Sequence, residues 1–205
     1  MTIVACLVLM ISCDYADTSL KEVDALIDER LLIQQEYQNR IDSVYSTTLL
    51  EMTDSERFAC YGQLYDMYRA FNIDSQLNYA QKRITLADEL NNIGYKQAAE
   101  LNMAEVLMRS GMYYEAMRCI DGVAAYPIED FLRPYYFHLR RTLYGLLSDF
   151  AITESEQRLY DALTQTYRDS IMYVQPEGGF VYELVRADAL ANEGRYIEAL
   201  KVLEK

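Results

Sequence analysis

The chain has 205 residues, 51% of them hydrophobic, with 19 Tyr, 8 Gly, 3 Pro and no Trp. So few Gly and Pro leave too few turn formers for a strand-rich fold, which points to helices. A formal net charge of −13 repels phosphate backbones, and non-specific nucleic-acid affinity comes from Lys and Arg, so this segment is not expected to bind DNA or RNA. The charge reads most simply as a solvated helical surface.

Ile3 to Ile11 form an almost wholly apolar run that ends at Ser12-Cys13. The run is shorter than the about 20 residues that cross a bilayer and suits the core of an export signal. Met10-Ile11-Ser12-Cys13 resembles a bacterial lipobox. Residues 1–13 are then the signal, and Cys13 is the candidate lipidated residue and mature N-terminus. No Lys or Arg precedes the run, where the positive segment belongs, so the natural start is expected upstream of Met1. The competing reading is a buried N-terminal helix, against which stands the abrupt switch to Asp14-Tyr15-Ala16-Asp17. Cys60 and Cys119 fall in helical patterns, and free buried thiols are expected there rather than a disulfide.

A long helix is expected over residues 18–50, with Leu20, Val23, Ile27, Leu31, Tyr37, Ile41 and Val44 at helical spacing. Thr53-Asp54-Ser55-Glu56 is a capping box and opens a helix with Tyr61, Leu64, Tyr65 and Tyr68 on one face. Asp74 caps the next, which carries Leu77, Ala80, Ile84, Ala87 and Leu90 and stops at Asn91-Asn92-Ile93-Gly94. Further helices cover Lys96 to Ser110 and Tyr113 to Val123. Pro134 fits the first turn of a helix bearing Tyr135, Leu139, Leu143, Leu146 and Phe150. A second capping box, Thr153-Glu154-Ser155-Glu156, opens the helix with Leu159, Leu163, Tyr167 and Ile171. Pro176-Glu177-Gly178-Gly179 ends it, and a last pair runs from Phe180. The expected hairpins are about 54–92, 96–124, 131–174 and 180–205.

Two of these hairpins share a sequence. Ala104-Glu105-Val106-Leu107 matches Ala187-Asp188-Ala189-Leu190, and Gly111-Met112-Tyr113-Tyr114-Glu115-Ala116-Met117 matches Gly194-Arg195-Tyr196-Ile197-Glu198-Ala199-Leu200. Ile120 and Leu203 follow at equal offsets. This pattern closely resembles the tetratricopeptide repeat. Each residue type has a mechanical job: the alanines let two helices approach, the glycine makes the turn, and the tyrosine fills the wedge behind it. The fold expected is all-α, a right-handed solenoid of tetratricopeptide-like hairpins with a long N-terminal helix. The copies lie 83 residues apart (111 to 194), whereas two standard units span about 68. An irregular, longer hairpin, roughly Ile128 to Val174, therefore sits between them. A degenerate unit, roughly Arg57 to Leu90, precedes them, with Ala80 and Ile84 in the second-helix positions.

The layout also resembles a family of Bacteroidetes envelope proteins. The shared features are the export signal, Leu20-Lys21-Glu22-Val23-Asp24-Ala25-Leu26, Ile41-Asp42-Ser43, Glu56-Arg57-Phe58, Tyr79-Ala80 and the Gly-x-Tyr-x-Glu-Ala units. The resemblance implies a sensory or scaffolding role, with further repeats, a transmembrane helix, a coiled coil and a DNA-binding region beyond Lys205. The chain departs from it at Cys13 and by ending on the last turn of a repeat helix. A fragment is expected, or a partner that covers that end.

No catalytic residue, cofactor or metal is expected. The single histidine, His138, stands beside Arg140 and Arg141 and is a poor ligand or base. No phosphate loop, nucleophile elbow or Cys-His pair is present. Tyr61, Tyr65 and Tyr68 read as core with hydroxyls at the rim, the sharper alternative being an aromatic ligand platform. Repeat solenoids bind extended segments on the face lined by their first helices. Here that face comprises Ala98, Leu101, Glu105 and Met108, then Val181, Leu184, Asp188 and Ala191. Glu105 and Asp188 stand where some tetratricopeptide proteins carry a basic clamp, so a neutral or basic protein or peptide segment is the expected partner.

Three functions compete on the sequence alone. The first is a periplasmic, membrane-anchored scaffold or sensory module that binds a protein segment. The second is an envelope lipoprotein accessory to a nutrient-uptake or assembly complex. The third, a helical glycan-acting enzyme, has no residues to support it.

Overall fold

The computed structural model describes residues 2–46, 52–70 and 72–204, with the side chains of residues 2–19, 45 and 46 excepted. The chain divides into two compact units, Met1–Met52 and Thr53–Lys205. Among its described residues the first holds one helix, α1, Thr2–Ser46. It begins well before the expected start at Thr18. The side chains of the Ile3 to Ile11 run and of Cys13 lie outside the described residues, as do residues 47–51, Phe71 and Lys205 altogether. Leu20, Val23, Ile27 and Leu31 stand exposed along α1. Among the described residues no helix is long and apolar enough to cross a membrane.

The second unit is a succession of helices: α2 Asp54–Tyr68, α3 Ile73–Glu89, α4 Ile93–Arg109, α5 Tyr113–Val123, α6 Arg133–Asp149, α7 Glu154–Val174, α8 Phe180–Asn192 and α9 Tyr196–Leu203. A 3-10 turn, Asp130–Leu132, leads into α6. No strand occurs among the described residues. Consecutive helices pack as antiparallel neighbours, α2 with α3, α4 with α5, α6 with α7 and α8 with α9. The result is a tetratricopeptide-like all-α solenoid.

Local sequence sets these boundaries. Both capping boxes form: Thr53 and Thr153 accept from the amides of Glu56 and Glu156, whose carboxylates return to the threonine amides. Pro134 occupies the first turn of α6. Two starts fall earlier than the sequence suggested. Asn72, not Asp74, caps α3. Asn92 caps α4 through the Tyr95 amide, so α4 starts at Ile93 rather than at Lys96. Asn91 takes the left-handed conformation that ends α3, at φ 47°, so the stop of one helix and the start of the next overlap with no loop.

The repeat motif does its mechanical work. Gly111 and Gly194 adopt φ of 77° and 76° and close matching turns, with Met112 donating to the Leu107 carbonyl and Arg195 to that of Leu190, both at 2.9 Å. Ala104, Ala116, Ala187 and Ala199 are all buried, and the alanines let the paired backbones close up. Ala104 and Ala116 share a core with Leu101, Met108, Ile120, Leu139 and Leu143, which joins the second hairpin to the third. Ala80 is fully buried in the first hairpin. Cys60 and Cys119 are free thiols, and burial pushes the Cys119 thiol up to about 12.

Candidate functional site

First helices of successive hairpins are joined by buried polar contacts. Glu105 of α4 is the centre of one cluster. Its carboxylate accepts from Arg69, the C-cap of α2, at 2.5 Å, from the Tyr65 hydroxyl of α2 at 2.9 Å and from the Tyr135 hydroxyl of α6 at 2.5 Å. Tyr65 is fully buried and its hydroxyl also lies 3.0 Å from the Asn102 carbonyl. Arg83 of α3 donates to the Asn102 side chain and stacks over Phe58. Burial pushes the Glu105 carboxyl up, but the hydrogen bonds from Tyr135, Arg69 and Tyr65 outweigh it and hold the group below its ordinary value. Burial and the neighbouring carboxylate push both tyrosine hydroxyls upward.

Asp188 of α8 occupies the same repeat position as Glu105 and is held in the same manner. Its Oδ2 accepts from Arg141 of α6 at 2.6 Å and from Arg168 of α7 at 3.2 Å. The adjacent Arg140 turns the other way, to Asp121 of α5 at 2.6 Å, and lies over the rings of Tyr136 and Tyr167. Consecutive arginines of α6 thus tie the third hairpin to the hairpins on either side.

The sequence-selected face separates into core and surface. Leu101 and Met108 are buried in the hydrophobic core and are out of a partner's reach. A helix squeezed between two hairpins buries more than one stripe, so they pack inward. Ala98 also packs against that core. Glu105 is mostly buried and Asp188 partly so; both are neutralised by arginines of their own chain and are not free anions. Val181 and Leu184 are open to solvent, 42% and 46% exposed. They wall a cleft of about 490 Å³ between α6, α7 and α8, together with Tyr135, His138, Arg141 and Asp188. The bonds of Tyr135 to Glu105 and of Arg141 and Arg168 to Asp188 leave no signal in the sequence, because they depend on which hairpins become neighbours. His138 lines this cleft, where desolvation and then the charge of Arg141 hold its pKa below the ordinary histidine value. A second cleft, of about 610 Å³, lies between α3, α4 and α5 and includes Cys119 and Tyr126. Among the described residues, no group of three His, Cys, Asp or Glu side chains is placed to hold a metal ion.

The family model of the SusR N-terminal TPR domain matches residues 27–205. The chain belongs to that family. Neither a curated protein nor a solved structure matches it. As a SusR-type TPR domain it is built from a repeat that generally mediates protein–protein interaction and is generally non-catalytic. The match begins within α1 and takes in all four hairpins of the second unit, so the irregular α6–α7 hairpin falls within the family pattern.

Proposed function

We propose that this chain is a non-catalytic interaction or sensory module of the cell envelope. It binds a protein or peptide segment on the face formed by its first helices. The observation that carries this reading is the cleft between α6, α7 and α8, where Val181 and Leu184 stay exposed beside ion pairs that already hold the walls in place. Apolar side chains on a rigid polar frame offer a partner burial without reorganisation of the site. The apolar Ile3 to Ile11 run and Ser12-Cys13 support export, with the chain held at the membrane by a signal anchor or a lipid on Cys13.

Affinity capture from envelope fractions tests the binding face. Leu184→Glu and Val181→Glu should each lose a protein that the unaltered chain retains. Tyr114→Glu, on α5 at 70% exposure, should keep it. Retention by all three variants would reject the assignment. Labelled palmitate on the unaltered chain, and its loss in Cys13→Ala, tests the lipid anchor separately.

A further inference from the structure

The cleft between α6, α7 and α8 carries no net charge. Among the described residues its charged lining groups are Arg141 and Asp188, and these bond to one another at 2.6 Å. A charged group brought in by a partner would shed water and meet charges that are already paired, so it would be desolvated without a counter-ion of its own. Buried Ile171 and Val185, with the exposed Val181 and Leu184, supply apolar surface instead.

Two polar side chains of the same lining are unengaged. His138 stands on α6 and Gln175 is the C-cap of α7. Neither the His138 ring nor the Gln175 carboxamide has a hydrogen-bond partner among the described residues, and both reach solvent. The Tyr135 hydroxyl, by contrast, is taken by Glu105. A carboxamide offers a carbonyl oxygen and an NH2, and a neutral imidazole offers one N–H and one bare nitrogen. With its pKa held below the ordinary value, the His138 ring is neutral at pH 7. Each group can therefore donate and accept, as a peptide group does. An apolar wall accompanied by two such groups matches a stretch of main chain that presents an aliphatic side chain. We propose that the cleft takes a neutral, leucine-like side chain of a partner segment, whose flanking peptide groups hydrogen-bond to His138 and Gln175. This rests on the reading that a partner segment occupies this cleft, and it names that segment as uncharged at the contact. The attraction for cations that Asp188 presents in the sequence is removed by Arg141. The volume of about 490 Å³ lies within the range of about 300–1,000 Å³ usual for small-ligand pockets, room for one side chain and its adjoining peptide groups.

The test titrates N-acetyl-leucine N-methylamide, an isobutyl side chain between two peptide groups, into the full methyl-labelled chain observed by NMR. Saturable shifts should appear at the Ile171, Val181, Leu184 and Val185 methyls, the His138 ring protons and the Gln175 carboxamide. Affinity should exceed that of N-acetyl-alanine N-methylamide by about ten-fold, because the larger side chain buries more carbon. It should exceed by about ten-fold those of N-acetyl-leucine, an anion, and leucine N-methylamide, a cation. Added salt should leave the affinity of the neutral compound unchanged. Gln175→Leu and His138→Phe, both at positions that reach solvent, should each lower that affinity about three- to ten-fold, the scale of one hydrogen bond, and preserve the ratio of leucine to alanine compound. Tighter binding of either charged analogue, equal binding of the leucine and alanine compounds, unchanged affinity in both variants, or shifts elsewhere would overturn it. If charged and neutral compounds bind alike while Leu184→Glu still abolishes capture, the neutral-segment inference fails and the binding face stands. If capture survives Leu184→Glu, the face fails and the inference with it.

Discussion

The Tyr65 hydroxyl reaches Glu105 across the boundary between two hairpins, at 2.9 Å. Tyr65 is fully buried on α2 and Glu105 is mostly buried on α4, so this contact fixes how the first hairpin is set against the second. Arg69 and Tyr135 complete the coordination of the same carboxylate. A buried charge with three donors is stable in place and expensive to disturb.

Glu105→Ala should therefore destabilise the chain by about 3 kcal/mol, because it strands Arg69 and two tyrosine hydroxyls. Glu105→Gln keeps an acceptor and should cost less, about 1–2 kcal/mol. Urea denaturation of the full chain followed by far-UV circular dichroism measures both. Equal stability of all three proteins would show that the cluster does not hold the hairpins together.

The same carboxylate makes a pH prediction. Its folded value lies below the ordinary 4.5, while the unfolded chain titrates near the ordinary value. The unfolded state then binds the proton more readily as pH falls, so the contribution is complete above about pH 4.5 and is lost below it. The stability difference between the unaltered chain and Glu105→Gln should stay constant above that pH and shrink beneath it. A difference that grows on acidification would contradict the sign.

His138 is the only histidine, so its ring protons are a single resolvable titration. Desolvation of the ring and the charge of Arg141 should place its midpoint below 6.5. Arg141→Gln should move the midpoint upward, as read by proton NMR. A midpoint at or above the ordinary value would mean that Arg141 does not face the ring.

Alanine should act in opposite directions at the turn glycines and at a glycine inside a helix. Gly111→Ala and Gly194→Ala meet no atoms within 4 Å but force a left-handed backbone on a residue with a Cβ, costing about 1–2 kcal/mol each. Gly145→Ala lies inside α6 in open space, and should stabilise by about 0.5–1 kcal/mol because alanine suits a helix interior better. Thermal denaturation ranks the three.

The elements were legible because their signals are local. Thr53 with Glu56 and Thr153 with Glu156 are complete within four residues, and the Gly-x-Tyr-x-Glu-Ala motif carries its own turn. Wedge tyrosines were half legible. Tyr113 packs against the core while its counterpart Tyr196 is exposed, since the same residue fills a wedge only where a neighbour supplies the other wall. The polar face was the least legible. Leu101 and Met108 share a spacing with true surface positions, and Glu105 looks like any acidic residue until Arg69, Tyr65 and Tyr135 arrive from distant helices. Non-local pairing of this kind leaves no periodic trace.

The binding face is tested most directly by a photo-crosslinking amino acid placed at Leu184 in living cells, with Tyr114 as the reference position. The account predicts a discrete protein adduct from position 184 and none from position 114. No adduct at 184, or the same adducts from both positions, would contradict it.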